Sequence, residues 1–319
     1  MTGVEKGFFK YFKDLVPSAQ LIRCTCHSLH LCGSTAAEQL PADLEFLVRE
    51  SRNFFSKSAL RRLQYQALYA AINDGNMPKN LVQLSATRWL AWGKAVDVVV
   101  SQWLELKTLF DTHVCSLNPR DKCTISRKLR DMYQDDCNLL YLLFLKPITA
   151  ELCKANLKFQ QDSTEVTKLF IDLRVLLVSL LRRIIKPASL KINENGQFLS
   201  HADFRDVVKI LNDQHAYLPL NSVDCGASFA IHLGRIQLPV ERVMEVKQRC
   251  LNYLSSLCKE LAYRLPNNIH LFENIRYLTP EESLKPINRV DFLELPLELA
   301  GKYLQKIKTF KAYIHKSNL

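Results

Sequence analysis

The sequence predicts a mainly α-helical protein, and three observations carry that expectation. Apolar residues recur at every third and fourth position over long stretches, the spacing that paints one stripe on a helix. Strand-type alternation is sparse. Pro187 and Pro266 stand just beyond the two strongest periodic runs, where a residue without a backbone N–H ends a helix.

Taken in order, Gly7 to Leu15 is short and aromatic-rich and reads as a helix. It feeds a short strand, Ala19 to Cys26, bounded by Pro17-Ser18 and by a helix that His27 opens. A single strand has no sheet partners, so this beginning is expected to be the tail of an α/β domain whose other strands are missing. Pro41 to Phe55, Lys57 to Ile72, Trp89 to Phe110 and Ile125 to Leu145 follow as helices. Asn73-Asp74-Gly75-Asn76 and Asn193-Glu194-Asn195-Gly196 read as loops. From Val166, the residues Leu169, Leu173, Leu176, Leu177, Leu180, Leu181 and Ile184 mark a helix closed by Pro187, and Met244 to Leu265 repeats the pattern. The expected division is residues 1–35 as a small helix-and-strand segment, 36–290 as an all-helical domain, and 291–319 as a return segment and basic tail.

A chain of 319 residues, 48% of them hydrophobic, has enough apolar surface for a large core. No apolar run approaches the ~18 residues that a membrane span needs. Leu139 to Leu145 and Val175 to Leu181 are closed by Lys146 and Arg182. Lys6, Lys10, Lys13 and Asp14 interrupt the start, so no secretory signal is expected, and the protein is read as soluble and intracellular. In a reducing compartment its ten cysteines are expected to be free thiols, with Cys250 and Cys258, two helical turns apart, at core positions. The net charge of +11 permits attraction to nucleic acid. Much of it, however, falls in runs such as Arg61-Arg62-Leu63 and Leu181-Arg182-Arg183-Ile184, the ordinary solvated side of an amphipathic helix.

Two short motifs say more. Cys24-Thr25-Cys26-His27 with Leu31, and Thr87-Arg88-Trp89 after a loop, resemble signature motifs of hAT-superfamily transposases and of host proteins derived from them, closest to the zinc-finger MYM and BED kinds. Met1-Thr2-Gly3, Pro41-x-x-Leu44-x-x-Leu47 and Asn53-Phe54-Phe55-Ser56 extend the likeness, which runs to about residue 300. It implies an RNase H-like core interrupted by a long all-helical insertion. The first 35 residues are then a residual RNase H-like α/β piece. In such enzymes three acids hold divalent metals, because Mg²⁺ wants an octahedral oxygen shell and paired metals clamp attacking and leaving oxygens.

On this alignment the first two acids fall upstream of Met1. Glu281, Glu282, Glu294 and Glu298 are the nearby candidates for the third, and each reads more simply as a surface carboxylate. The expectation is therefore a protein without catalytic residues and without zinc or magnesium as cofactor. Cys24, Cys26, His27 and His30 are ligand types for zinc, but no second pair stands at a matching distance, with His113 and Cys115 the best alternative. The resemblance places Cys24 and His27 beside the lost catalytic centre; packing for Cys24 and a local hydrogen bond for His27 is the plainer reading.

Arg88 and Trp89 are the candidate DNA-binding residues by resemblance, the ring stacking on a displaced base and the guanidinium holding phosphate. Against that, Trp89, Trp92, Val96, Val99 and Trp103 have the spacing of a core stripe. Lys302, Lys306, Lys308, Lys311 and Lys316 form a C-terminal basic cluster, a nucleic-acid contact or nuclear address on one reading and a solvated face on the other. The leading expectation is a non-catalytic, transposase-derived nuclear protein that binds DNA or protein partners. Two alternatives stay open: an active transposase or nuclease whose upstream exon is missing, and a helical scaffold that touches no nucleic acid. The lack of a long apolar run leads to the expectation of no membrane partner, and the oligomeric state stays undefined.

Overall fold

A computed structural model of the chain describes residues 7–16, 24–84, 91–115, 124–160, 169–190 and 202–264. Among these residues the protein is helical, with α1 (Phe8–Leu15), α2 (Thr25–Ala37), α3 (Asp43–Ser56), α4 (Ala59–Ile72), α5 (Ala91–Ser101) and α6 (Trp103–Cys115) in the first part. The rest comprises α7 (Thr124–Gln134), α8 (Asp136–Gln160), α9 (Leu169–Arg182), α10 (Ala202–Asn212), α11 (Ala227–Leu233) and α12 (Val240–Arg264). The only extended pairing among the described residues is an isolated antiparallel bridge between Ile185 and Tyr217. No described helix is long and apolar enough to cross a membrane.

The strand expected over Ala19 to Cys26 is corrected at its C-terminal end. Thr25 and Cys26 are already helical, and Cys24 is the extended N-cap residue whose carbonyl accepts the Ser28 N–H at 3.0 Å. Ala19 to Arg23 lie outside the described residues. A short apolar run suits a strand or a buried helix equally, and here α2 is claimed by its packing on α12. Residue 35, where the first domain boundary was expected, lies inside α2.

α8 runs through the centre. Leu139 through Leu145 are buried without exception, the mark of a helix surrounded on all sides rather than lying on a surface. α2, α5, α7, α9, α11 and α12 pack around it. The helix continues past Pro147, a residue that costs about 3 kcal/mol inside a helix, so the surrounding packing offsets that penalty. α12 is the second long element and gathers α2, α9 and α10.

Two predicted helices prove to be broken, each by a polar side chain. Trp89 to Phe110 was expected to be continuous, but its described part divides into α5 and α6 at Gln102. Gln102 is 1% exposed. Its Nε2 donates to the carbonyls of Lys79 (3.1 Å) and Val98 (3.3 Å), and its Oε1 accepts from Tyr65 Oη at 2.9 Å. Full pairing of a buried amide outweighs one lost helical bond. Ile125 to Leu145 likewise splits into α7 and α8 at Asp135, whose carboxylate accepts the Cys137 N–H at 3.0 Å. Periodicity carries no trace of either break.

α3, α4 and α12 lie close to the expected helices, whereas α10 and α11 were not anticipated. Asn73–Asn76 is a turn with Asp74 and Gly75 at positive φ, Cys250 and Cys258 are fully buried, and the cysteines of the described residues are free thiols. The Asn193–Gly196 loop, the C-terminal lysines and Glu281, Glu282, Glu294 and Glu298 lie outside the described residues. Arg183 departs from the solvated face expected of it. Its side chain is 13% exposed and bridges Glu151 at 2.8 Å and Asp224 at 3.6 Å.

Candidate functional site

Cys24 and His27 sit at the exposed N-terminus of α2. One turn further along the helix, His30 is half-buried, with its ring centroid 6.4 Å from that of His27. Burial, and secondarily the neighbouring His27, hold the His30 imidazole below its ordinary pKa, so the neutral ring is favoured. Cys26 turns the other way, toward the end of α8, with its thiol 3.8 Å from the Asn156 carbonyl. Burial raises the Cys26 pKa, and the adjacent Cys24 adds to the effect.

His30 opens onto a cleft of about 550 Å³ between α2, the start of α3 and the segment ending at Leu84. Its other walls include Ser34, Leu44, Glu45, Arg49 and Trp92. Ser34 is one turn beyond His30 on the same helix face. Arg49 is tied to Glu45 at 2.9 Å and to Glu50 at 3.1 Å, which leaves a partly neutralised rim rather than a strong field. The volume is within the range of small-ligand and peptide pockets. A second cleft, about 430 Å³, lies between α7, α8 and α12. There Arg242 reaches Asp135 at 2.9 Å and the Cys137 sulfur at 3.2 Å.

Arg88 and Trp89 lie outside the described residues. Leu84 and Trp92, which flank their segment on either side, both line the His30 cleft. Of the expected tryptophan stripe, Val96, Val99 and Trp103 are buried and Trp92 is half-buried against the core. For these members the packing reading holds.

Comparison with protein-family models, curated proteins and solved structures returns no match to this chain. The site is therefore read from its own geometry. Among the described residues, Cys24 and His27 are not gathered with further ligand types into a cluster. Among the described residues no group of three or more His, Cys, Asp or Glu is arranged to hold a metal ion. His113 is buried edge-on to Phe54, centroids 5.5 Å apart, as part of an aromatic cluster, and the Cys115 side chain is outside the described set.

Sequence reasoning singled out the motif ends but missed the cleft between them. Glu45 and Arg49 carried a weak signal as an i,i+4 ion pair on a helix. Nothing in the order of residues placed them opposite His30 and Trp92.

Proposed function

We propose that the chain is a non-catalytic, hAT-transposase-derived helical protein of the nucleus that binds a macromolecular partner, DNA being the leading one. The observation supporting this reading is the cleft. The helix with the Cys24-x-x-His27 motif and the two residues flanking Thr87-Arg88-Trp89 line one surface depression, although some sixty positions separate them in the chain. A binding role rather than strand cleavage fits the rim chemistry. Glu45 is committed to Arg49, and Glu38 is exposed at the end of α2.

The test is binding of short duplex and single-stranded DNA across a salt series. A protein neutralising several phosphates loses affinity steeply as salt rises. In this reading Arg88→Ala and Trp89→Ala weaken binding while the melting temperature holds. Weak, salt-independent binding removes DNA as the partner. Strand cleavage dependent on a divalent ion overturns the non-catalytic reading.

The helical-scaffold alternative has its own support. Many cations on the described surface are already paired, among them Lys128 with Asp43, Arg130 with Asp111, Lys146 with Asp97, and Arg242 with Asp135, at 2.7 to 2.9 Å. Paired charges offer phosphate less. If Trp89→Ala lowers the melting temperature and leaves no separate binding defect, the scaffold reading prevails.

A further inference from the structure

α1 contains no buried residue, and its apolar side is bare. Phe8, Tyr11, Phe12 and Leu15 stand at i, i+3, i+4 and i+7, which sets them on one face of the helix. Phe8 and Leu15 are 71% and 81% exposed, Tyr11 and Phe12 are exposed too, and the Phe8 and Phe12 rings stack with centroids 6.1 Å apart. Large apolar side chains at that spacing are the anchors an amphipathic helix lays into a groove of a folded protein. Lys10, on the polar side of the same helix, is exposed and has no ion-pair partner among the described residues.

A groove of matching character lies on this chain. The cleft of about 550 Å³ beside His30 has apolar walls that include Leu40, Pro41, Leu84 and Trp92, the last two only partly buried. Its rim carries two carboxylates, Glu38 and Glu45, against the single guanidinium of Arg49. Glu45 is tied to Arg49, whereas Glu38 is exposed and, like Lys10, has no ion-pair partner among the described residues. The helix has two lysines against one aspartate, so the two surfaces are opposite in charge as well as both apolar at their centres.

We infer that α1 of one copy of the chain docks in the cleft between α2 and α3 of a second copy, reciprocally, so that two identical contacts close a two-fold dimer. The aromatic face meets Leu84 and Trp92, and Lys10 reaches the Glu38 carboxylate. In its own chain that face is open to solvent, so the occupant of the cleft is the helix of a second copy. Removing the aromatic face from water is the driving term. The Lys10–Glu38 pair, exposed at the rim, adds little affinity and selects the orientation. The inference goes beyond partner binding at the same cleft: a docked α1 and an outside partner exclude each other, so the dimer is the closed form of the site and the single chain the open one.

Sedimentation velocity of the full chain without nucleic acid, over a concentration series, reads the mass directly. The expected result is a shift from one chain to two as concentration rises. Phe12→Ser with Leu15→Ser, both at exposed positions, is expected to raise the dissociation constant about tenfold or more. Ala42→Trp, which fills the cleft from an exposed wall position, is expected to do the same. Mixing those two variants restores a dimer through the one contact left intact, the mark of exchange between helix and cleft. Lys10→Glu weakens the dimer about 2–5-fold, and Glu38→Lys in the same chain recovers it. A single-chain mass at every concentration overturns the inference, as does a dimer that survives Ala42→Trp. Should that variant fold poorly, carbodiimide coupling of the unsubstituted chain decides instead: a Lys10–Glu38 link in the two-chain product supports the docking, and links only elsewhere sink it. Because DNA is absent, failure here leaves the DNA reading standing, and loss of DNA binding in Trp89→Ala leaves the dimer standing.

Discussion

The two halves of the core are built from different materials. Around α3, α4, α6 and α7 the interior is aromatic. Phe54, Phe55, Tyr65, Trp103, Phe110 and Tyr133 meet with ring centroids 4.5 to 6.2 Å apart. Polar groups penetrate it: Ser51 pairs with Tyr133 at 2.8 Å, Tyr65 with Gln102 at 2.9 Å, and Asn73 with the buried Glu105 at 2.8 Å. Around α2, α8, α9 and α12 the interior is largely leucine and thiol, as in Leu29, Cys32, Leu140, Leu180, Leu254 and Cys258. There the polar pairs, such as Ser179 with Glu151 and Tyr217 with Ser255, lie toward the rim. The first half is specified by directional bonds that fix which ring faces which. The second is specified by volume.

Cavity-making substitutions should strike both halves hardest. Phe110→Ala in the aromatic half is expected to cost about 3–5 kcal/mol and Leu254→Ala in the aliphatic half about 2–5 kcal/mol, read from denaturant midpoints. Equal losses on deleting only hydrogen bonds from either half would break the comparison.

Close packing alone is tested at Gly93, where α5 meets α8. An added Cβ would lie 2.8 Å from the Cys153 sulfur. Gly93→Ala is expected to lose about 1–3 kcal/mol by overpacking, and Cys153→Ala in the same chain should restore part of it. Failure of that rescue in the melting temperature would show that backbone, rather than the sulfur, is the obstacle.

Directional bonding is tested at Gln102. Gln102→Leu keeps the bulk but strands the Tyr65 hydroxyl and the Lys79 carbonyl, at a cost of about 1–3 kcal/mol. A neutral result by chemical denaturation would mean that the polar bonds of the aromatic half are incidental.

The smallest expected effect concerns pH. His30 has a folded pKa below its ordinary 6.5. The unfolded chain therefore binds more protons in the window between the two values. The His30 contribution to stability is complete above about pH 6.5 and is lost as pH falls through the depressed folded value. His30→Gln should flatten the acid limb of the melting-temperature profile slightly. His232, also depressed by burial, should keep part of the slope in that variant.

The helical class was legible because Leu169 to Ile184 and Met244 to Leu265 repeat at the helical period, and turn chemistry at Asn73–Asn76 needed no tertiary information. The helix breaks at Gln102 and Asp135 were not legible. Each depends on partners remote in the chain, Tyr65 and Lys79 for one and Arg242 for the other. Only the end of the expected strand was misread, and for a related reason: Thr25 and Cys26 belong to α2, which packs on α12 and meets the end of α8. Within the candidate site, residue types flagged Cys24, His27 and His30, whereas the cleft with Arg49 and Trp92 exists only once α2 and α3 have folded together.

The central position of α8 bears on how the protein comes apart. It touches α7 on the aromatic side and α2, α9, α11 and α12 on the aliphatic side, so neither half sheds its interior while the other stays intact around it. Backbone amides from Leu139 to Leu152 should accordingly exchange with deuterium only through whole-molecule opening, and α1, whose Phe8, Tyr11 and Leu15 face solvent, should exchange first.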